Sequence, residues 1–231
     1  MLEILLSFRR AFQLIVSLDR ELLDIILLSL YVSGAAVTVA SVTGIACAYV
    51  LSFRDFPLKG VLVNILNTFM GLPPVVVGLF LYLMLSRSGP LGFMGLLYTP
   101  SAMILAQTVL AFPIIAAMSY SSIASVRPNT RLAALGLGAT GIQASIAVVK
   151  DARYGIVSSV MAGLGRVMAE VGAVLIVGGN IAGYTRVMTT TIALEYDKGD
   201  FELAIALGII LLLISLGINS VMYLFQRRVY R

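Results

Sequence analysis

Residues 163–180, "GLGRVMAEVGAVLIVGGN", form an apolar run that contains two charged side chains, Arg166 and Glu170. Together with the residues just before it, the run is long enough to cross the roughly 30 Å hydrocarbon core of a bilayer. An unpaired charge at that depth costs about 3 kcal/mol or more, so the two side chains must face protein or water. Because they are four residues apart, we expect them to share one helix face, where each partly neutralises the other.

The composition of the whole chain places this run in a membrane protein. Of the 231 residues, 60% are hydrophobic and only 12% are charged, and the mean hydropathy is +1.02. Soluble domains carry about 25% charged residues. The chain has no histidine and one cysteine, Cys47, which excludes an internal disulfide and leaves little for a metal cluster or a nucleophilic site. We therefore predict an all-helical membrane bundle without a cofactor of its own.

Five apolar runs are long enough to be transmembrane helices. They cover residues 25–53, 60–86, about 101–124, about 154–178 and 203–226. Pro73 and Pro74 must kink or break the second run, since proline removes a helical hydrogen bond. Residues 1–23 alternate short apolar clusters with charges, which predicts an amphipathic helix in the membrane interface, with no cleavable signal peptide; residues 24–231 form the transmembrane domain. Small residues in 33–44 and 158–165 predict close helix packing.

One further uncharged run, residues 132–149, has the length of a span but a different character. It consists mostly of alanine and glycine, and basic residues flank both of its ends. Segments with this charge pattern lie in the cytoplasm under the positive-inside rule. We therefore interpret residues 127–153 as a cytoplasmic loop of two short helices joined near Gly138 and Gly141.

The charge distribution supports five spans with the N-terminus outside and the C-terminus in the cytoplasm. In that arrangement the cytoplasmic segments hold nine basic and two acidic residues, a net charge of +7. The outer segments hold six basic and eight acidic residues, a net charge of −2. The basicity of the chain thus reports topology, and a nucleic-acid-binding function has no solvated basic patch to support it.

The cytoplasmic loop resembles the signature loop of binding-protein-dependent ABC importer permeases. That signature is Glu-Ala-Ala, three residues and a Gly, and Ala133, Ala134 and Gly138 match it. Leu132 stands in place of the glutamate. The later part, "AVVKDARYG", keeps an Ala, an Arg and a Gly of the family pattern and lacks its prolines.

A second resemblance covers residues 166–195, "RVMAEVGAVLIVGGNIAGYTRVMTTTIALE". This segment is similar to molybdate, sulfate and tungstate permeases, in which an Arg, a Glu-x-Gly-Ala and a Gly-Asn-Ile run precede a threonine-rich stretch. The sequence of residues 176–195 is most similar to that of tungstate permeases. The resemblance implies a type I ABC importer permease fold with five transmembrane helices and a multi-pass location in the cell membrane.

The resemblance also implies partners and site residues. We expect a homodimer with the anion path between two copies, two cytoplasmic ATPase subunits that bind ATP and Mg, and an extracytoplasmic tungstate-binding protein. The candidate residues of the ATPase-coupling loop are Ala133, Ala134, Gly138, Ala139, Thr140 and Gly141. The candidate pathway residues are Gly178, Gly179 and Asn180, and the intramembrane charge pair is Arg166 and Glu170. The pair either locks two helices together, the reading we favour, or offers Arg166 to a passing oxyanion.

Other functions fit the sequence less well. The nearest alternative is a permease of the same class that carries molybdate or sulfate. A secondary transporter would show broken helices at matching positions of two halves, and Pro73-Pro74 has no counterpart later in the chain. A membrane enzyme would need converging acids, His or Cys, and Glu170 is the one acid within the predicted spans. The chain lacks the G-x-x-x-x-G-K-[ST] phosphate loop, so the ATPase must be a separate subunit.

Overall fold

The computed structural model describes Gln13, Val16 and residues 20–227, with side chains described through Ser220. Most of residues 1–23, where an interfacial helix is predicted, lie outside the described residues, and residues 20–23 belong to the first long helix. Every regular element in the described part is helical. The α-helices are α1 Arg20–Phe53, α2 Lys59–Phe69, α3 Pro74–Leu85, α4 Pro100–Gly136, α5 Gly141–Asp151, α6 Arg153–Met168, α7 Gly172–Gly178, α8 Met188–Lys198 and α9 Phe201–Arg227.

Three of these helices are individually long and apolar enough to cross a membrane, namely α1, α4 and α9. Two pairs of helices, α2 with α3 and α6 with α7, are long and apolar enough to cross a membrane only when the two halves are taken together. The described residues therefore provide three spans, or five when each broken pair counts as one. The upper figure is the one that the apolar runs predict.

The two broken spans are interrupted by different kinds of sequence. Between α2 and α3, Pro73 is the residue before the helix and Pro74 is its first residue, a position that suits proline because the missing N–H has no helical partner there. The break at residues 169–171, between α6 and α7, contains no proline. The expectation that Pro73-Pro74 has no later counterpart is therefore wrong, and broken helices do not distinguish this chain from a secondary transporter.

The third predicted span, about 101–124, is shorter than the helix that contains it. Helix α4 continues to Gly136 and keeps both Pro113 and Pro128 inside it. The loop predicted to contain two short helices therefore consists of the end of α4 and the separate helix α5. The helix ends where the chain reaches glycines, which weaken a helix and can adopt the left-handed conformation that closes it.

The described chain divides into two compact units. The first contains the described residues up to Ala35, residues 73–107 and the residues from Met168 onward. Its core joins Leu22 and Ile25 of α1 to Met188, Ala206 and Leu207. At the start of α8, the Ser29 hydroxyl accepts a 2.8 Å hydrogen bond from the Met188 N–H, so a side chain of α1 satisfies one free donor of that helix end.

The second unit contains residues 36–72 and 108–167. Small residues let its helices approach closely, as the sequence predicts. A Cβ on Gly163 would lie 2.7 Å from the Ile115 side chain, and the hydroxyls of Ser119 and Ser159 are 2.6 Å apart in a buried hydrogen bond. A lipid-buried bundle gains from these contacts because small residues maximise van der Waals packing between backbones.

Candidate functional site

The turn after α4 ends the helix with two nested backbone hydrogen bonds. The N–H of Ala139 donates to the carbonyl of Ala134 over 3.0 Å, and the N–H of Gly138 donates to the carbonyl of Leu135 over 3.0 Å. Gly138 has a φ of +86°, the left-handed conformation that this Schellman arrangement requires and that glycine adopts without strain. The glycine of the signature is therefore fixed by backbone geometry.

Thr140 then starts α5 with a reciprocal cap. Its hydroxyl accepts a hydrogen bond from the N–H of Gln143 over 3.4 Å, and the Gln143 side chain accepts from the N–H of Thr140 over 2.8 Å. Such a capping box satisfies two donors of the helix end and fixes its direction. Gly141 follows as the first residue of α5, and a Cβ there would meet open space. We call residues 132–142 the coupling turn.

The surface of the coupling turn is less uniform than its small residues predict. Ala133, Gly138, Thr140 and Gly141 are exposed, and Ala134 and Ala139 are half-buried. Beside them, three large apolar side chains are far more exposed than core residues: Leu137 at 90%, Ile142 at 75% and Leu132 at 71%. Exposed apolar groups clustered on one short segment are typical of a protein-binding surface. Sequence reasoning missed them because it counted only the small residues.

Helix α5 links this turn to the membrane helices. Val148 and Ala152 are buried in a cluster with Ala48 of α1 and Ile123 of α4. The Thr130 hydroxyl donates a 2.6 Å hydrogen bond to the Asp151 carboxylate. A force on the coupling turn would reach α1 and α4 through these packed contacts, because protein interiors are dense and transmit strain.

The two intramembrane charges have separate local partners. Arg166, near the end of α6, donates a 3.2 Å hydrogen bond to the backbone carbonyl of Leu72, which lies in the break before Pro73. Glu170 is 3% exposed, and its Oε1 accepts a 3.0 Å hydrogen bond from the Ala173 N–H at the start of α7. A carboxylate at a helix N-terminus satisfies a free donor and suits the positive end of the helix dipole.

These positions correct the predicted geometry of the charge pair. Arg166 and Glu170 do not share a helix face, because α6 ends at Met168 and Glu170 lies in the break. The four-residue spacing therefore does not make them helical neighbours. Each side chain instead satisfies backbone groups that a helix break leaves without partners.

Gly178, Gly179 and Asn180 lie together at the end of α7. A Cβ on Gly178 would be 3.0 Å from the Met103 side chain, and one on Gly179 would be 2.7 Å from the Tyr98 ring. Gly179 and Asn180 both have left-handed backbones, with φ of +70° and +50°. The glycines thus have packing and turn roles, and their place on the anion path stays a prediction.

A polar network closes the loop that follows α7. The Thr185 hydroxyl donates to the Gly178 carbonyl over 2.6 Å and accepts from the Ile181 N–H over 2.9 Å. The Thr189 hydroxyl donates to the Glu170 carbonyl over 2.7 Å. The threonine-rich stretch therefore hydrogen-bonds the loop backbone. In the described part of the chain, no cluster of three or more His, Cys, Asp or Glu could hold a metal ion.

Comparison with known proteins identifies the family. Residues 40–231 match the model of the binding-protein-dependent transport system inner membrane component. The chain belongs to this family. It is accordingly a multi-pass membrane permease subunit.

Individual relatives agree with this assignment. The permease is 47% identical over 212 residues to the "Probable anion ABC transporter permease protein" of Haloferax volcanii, covering 90% of this chain and 91% of the relative. It is 42% identical over 222 residues to the tungstate uptake system permease protein TupB of Peptoclostridium acidaminophilum, covering 95% and 96%. A crystal structure of an amino acid ABC transporter with histidines superimposes with a TM-score of 0.67 at 19% identity, covering 92% of this permease and 96% of that chain, which shows the shared fold.

Proposed function

We propose that this permease is the membrane subunit of an ATP-driven importer for a tetrahedral oxyanion, with tungstate as its substrate. The observation that carries the proposal is the 42% identity to a tungstate uptake permease over nearly the full length of both chains. The similar anion permease at 47% identity supports the same class of cargo. Molybdate or sulfate is the alternative, because both are tetrahedral dianions like tungstate.

The partners follow from the same proposal. Two copies of the permease form a homodimer around the anion path, and an extracytoplasmic binding protein delivers the anion. Two ATPase subunits hydrolyse ATP with Mg and dock on the coupling turns, where Leu132, Leu137 and Ile142 offer exposed apolar contacts. Apolar side chains that leave water on docking favour association through the hydrophobic effect.

The experiment is reconstitution of the permease with its ATPase and binding protein in liposomes. We expect ATP-dependent accumulation of tungstate, measured by mass spectrometry of the vesicle contents. Permease alone, or the complex with ATP replaced by a non-hydrolysable analogue, serves as the control. Accumulation of another solute class with no response to tungstate, molybdate or sulfate would overturn the proposal.

The choice between tungstate and molybdate belongs to the binding protein in this proposal. The two anions are nearly the same size and shape, so a path between helices has little geometry with which to separate them. Replacing the binding protein by a molybdate-selective one that still docks should switch the transported anion. Retained tungstate preference after the exchange would place the selectivity in the permease itself.

A further inference from the structure

A basic cavity lies in the second unit, close to the coupling turn. Its volume is about 310 Å³, roughly ten times the ~30 Å³ that one water molecule takes in the liquid. Its walls carry three cations, Lys59, Arg127 and Arg131. The remaining lining residues are Ser52, Tyr120, Ala124, Pro128, Leu132 and Leu135. The space is large enough for a hydrated polyatomic anion.

Lys59, in the wall of this cavity, follows a residue with a constrained backbone. The preceding Leu58 has a left-handed φ of +74°, a conformation that costs energy for a residue with a side chain. The Lys59 side chain is 21% exposed, and its Nζ lies 3.1 Å from the carboxylate of Asp55, which is 84% exposed. The lysine therefore lies in the wall while its acidic partner remains in solvent.

Asp55 neutralises only part of this charge. The hydrogen bond and the positive charge of Lys59 hold the pKa of the Asp55 carboxyl below its usual range against an opposing effect of desolvation, and the charges of Arg127 and Arg131 lower that pKa by smaller amounts. The carboxyl is therefore ionised at neutral pH. Three cations and one carboxylate leave the cluster with a net charge of +2.

Arg131 supplies the observation that points to a ligand. Its Nε is buried and has no hydrogen-bond partner. A buried N–H donor without an acceptor is costly, and guanidinium groups pair best with planar or tetrahedral oxyanions. Arg127 is differently engaged, because its guanidinium lies 5.8 Å from the centre of the Phe53 ring.

We propose that this cavity is a binding site for a tetrahedral oxyanion with the charge and shape of phosphate, supplied either by a free anion or by the headgroup of an anionic lipid. Arg131 and Lys59 bind the oxygens, and Arg127 adds positive charge beside them. The bound anion would connect the start of α2 to the last turns of α4, which lead into the coupling turn. The site does not depend on which anion the importer carries.

The test is anion binding to the purified full-length permease, without ATP or partners. In uncharged detergent at constant ionic strength, tungstate, molybdate and inorganic phosphate are titrated by calorimetry and by the shift of the unfolding midpoint, with chloride as the reference. We expect a saturable response to the dianions. Arg131→Gln should weaken it about tenfold, the effect of losing one charge-assisted hydrogen bond, and Arg131→Lys should weaken it less.

Two matched variants separate a built site from general basicity. Asp55→Asn should tighten binding severalfold, because the cluster then carries a net charge of +3. Arg54→Gln removes an exposed cation next to the site and should change binding little. A gain of affinity in Asp55→Asn keeps the proposal testable even if the Arg131 variants fold poorly.

Lipid nanodiscs distinguish the two sources of the anion. If free anions are the ligands, phosphate should bind equally in discs of phosphatidylcholine and in discs that also contain phosphatidic acid. If the headgroup is the ligand, phosphatidic acid should compete with phosphate, and it should remain bound to the wild type but not to Arg131→Gln in native mass spectrometry. No saturable response to any of these ligands, or equal responses of Arg131→Gln and Arg54→Gln, would overturn the site while leaving the transport assay unaffected.

Discussion

At the scale of single residues, Gly138 has a left-handed backbone and open space around its Cα. Its φ of +86° closes the Schellman turn, and a Cβ there would meet nothing within 4 Å. A side chain at this position therefore strains the backbone by about 1 kcal/mol and projects into solvent. Backbone strain and loss of docking can be separated because alanine and tryptophan share the first effect and differ in the second.

We predict that Gly138→Ala lowers the unfolding midpoint slightly and keeps most transport, whereas Gly138→Trp keeps insertion and dimerisation but loses ATPase association and transport. The bulky ring would prevent close approach of the ATPase to the coupling turn. Co-purification of the ATPase and binding-protein-stimulated ATP hydrolysis in liposomes measure the difference.

The matched control for this prediction is Gly199→Trp. Gly199 has a φ of +80° at the end of α8 and equally open surroundings, but it is not in the coupling turn. It should show the same mild strain with normal ATPase association. Normal stimulation of Gly138→Trp would show that the turn is not the coupling element.

The charges Arg166 and Glu170 give a second prediction at this scale. We expect Glu170→Ala to cost about 1 kcal/mol through loss of the hydrogen bond that its side chain accepts from the Ala173 N–H. We expect Arg166→Ala to cost about 1.5–3 kcal/mol through loss of a charged hydrogen bond. Because each residue has its own backbone partner, the effects in the double variant should add.

Folded yield and unfolding midpoint of the two single variants and the double variant measure this additivity. Recovery of yield in the double variant would instead indicate a mutually neutralising pair, the arrangement that the four-residue spacing suggests. Normal folding of Arg166→Ala with a steep loss of transport would contradict the structural role and favour contact with the anion.

At the scale of elements, the half-helices α3 and α7 depend on glycine for their packing. A Cβ on Gly78 would lie 2.8 Å from the Cα of Ala173, and one on Gly172 would lie 2.9 Å from the Val75 side chain. Short helices gain little stability alone, because forming a helix has a costly nucleus. Close contact between the two half-helices therefore stabilises both.

We predict that Gly78→Ala destabilises the permease by about 1–3 kcal/mol, since overpacking here displaces a backbone. Gly208→Ala is the matched control: Gly208 lies in the interior of α9 with nothing within 4 Å of its Cβ position. That change should be neutral or stabilise by up to about 1 kcal/mol, because alanine is the better helix former. Equal midpoints for the two variants would show that the half-helices can separate without cost.

At the scale of the whole molecule, the asymmetry of +7 against −2 gives a topology that can be measured. In a variant with Cys47 replaced, single cysteines at Ser88 and Ala182 should react with an impermeant maleimide from outside, and one at Asn129 should not. All three positions are exposed.

Permeabilised cells provide the control for this labelling, since Asn129→Cys must react once the reagent reaches the cytoplasm. External labelling of Asn129→Cys in intact cells would reverse the proposed orientation. The coupling turn would then lie outside, and the proposed docking of ATPases would fail with it.

The apolar sequence by itself determined that this is a helical membrane protein, how many apolar runs can span the membrane and that Pro73-Pro74 interrupts one of them. Span length follows from bilayer thickness and a proline break follows from a missing donor, and both are local properties. The signature residues around Gly138 and the segment from Arg166 onward indicated the permease family for the same reason, because motifs are contiguous in the chain.

Only the tertiary structure decided how the polar groups are satisfied. The break at residues 169–171 contains no proline, and there the Glu170 side chain accepts a hydrogen bond from the Ala173 N–H. The break before Pro73 receives a hydrogen bond from Arg166, which is far away in sequence. Lys59 and Arg131 likewise meet in one cavity from distant positions. The cost of an unpaired polar group depends on everything that surrounds it, and that environment exists only after the chain has folded.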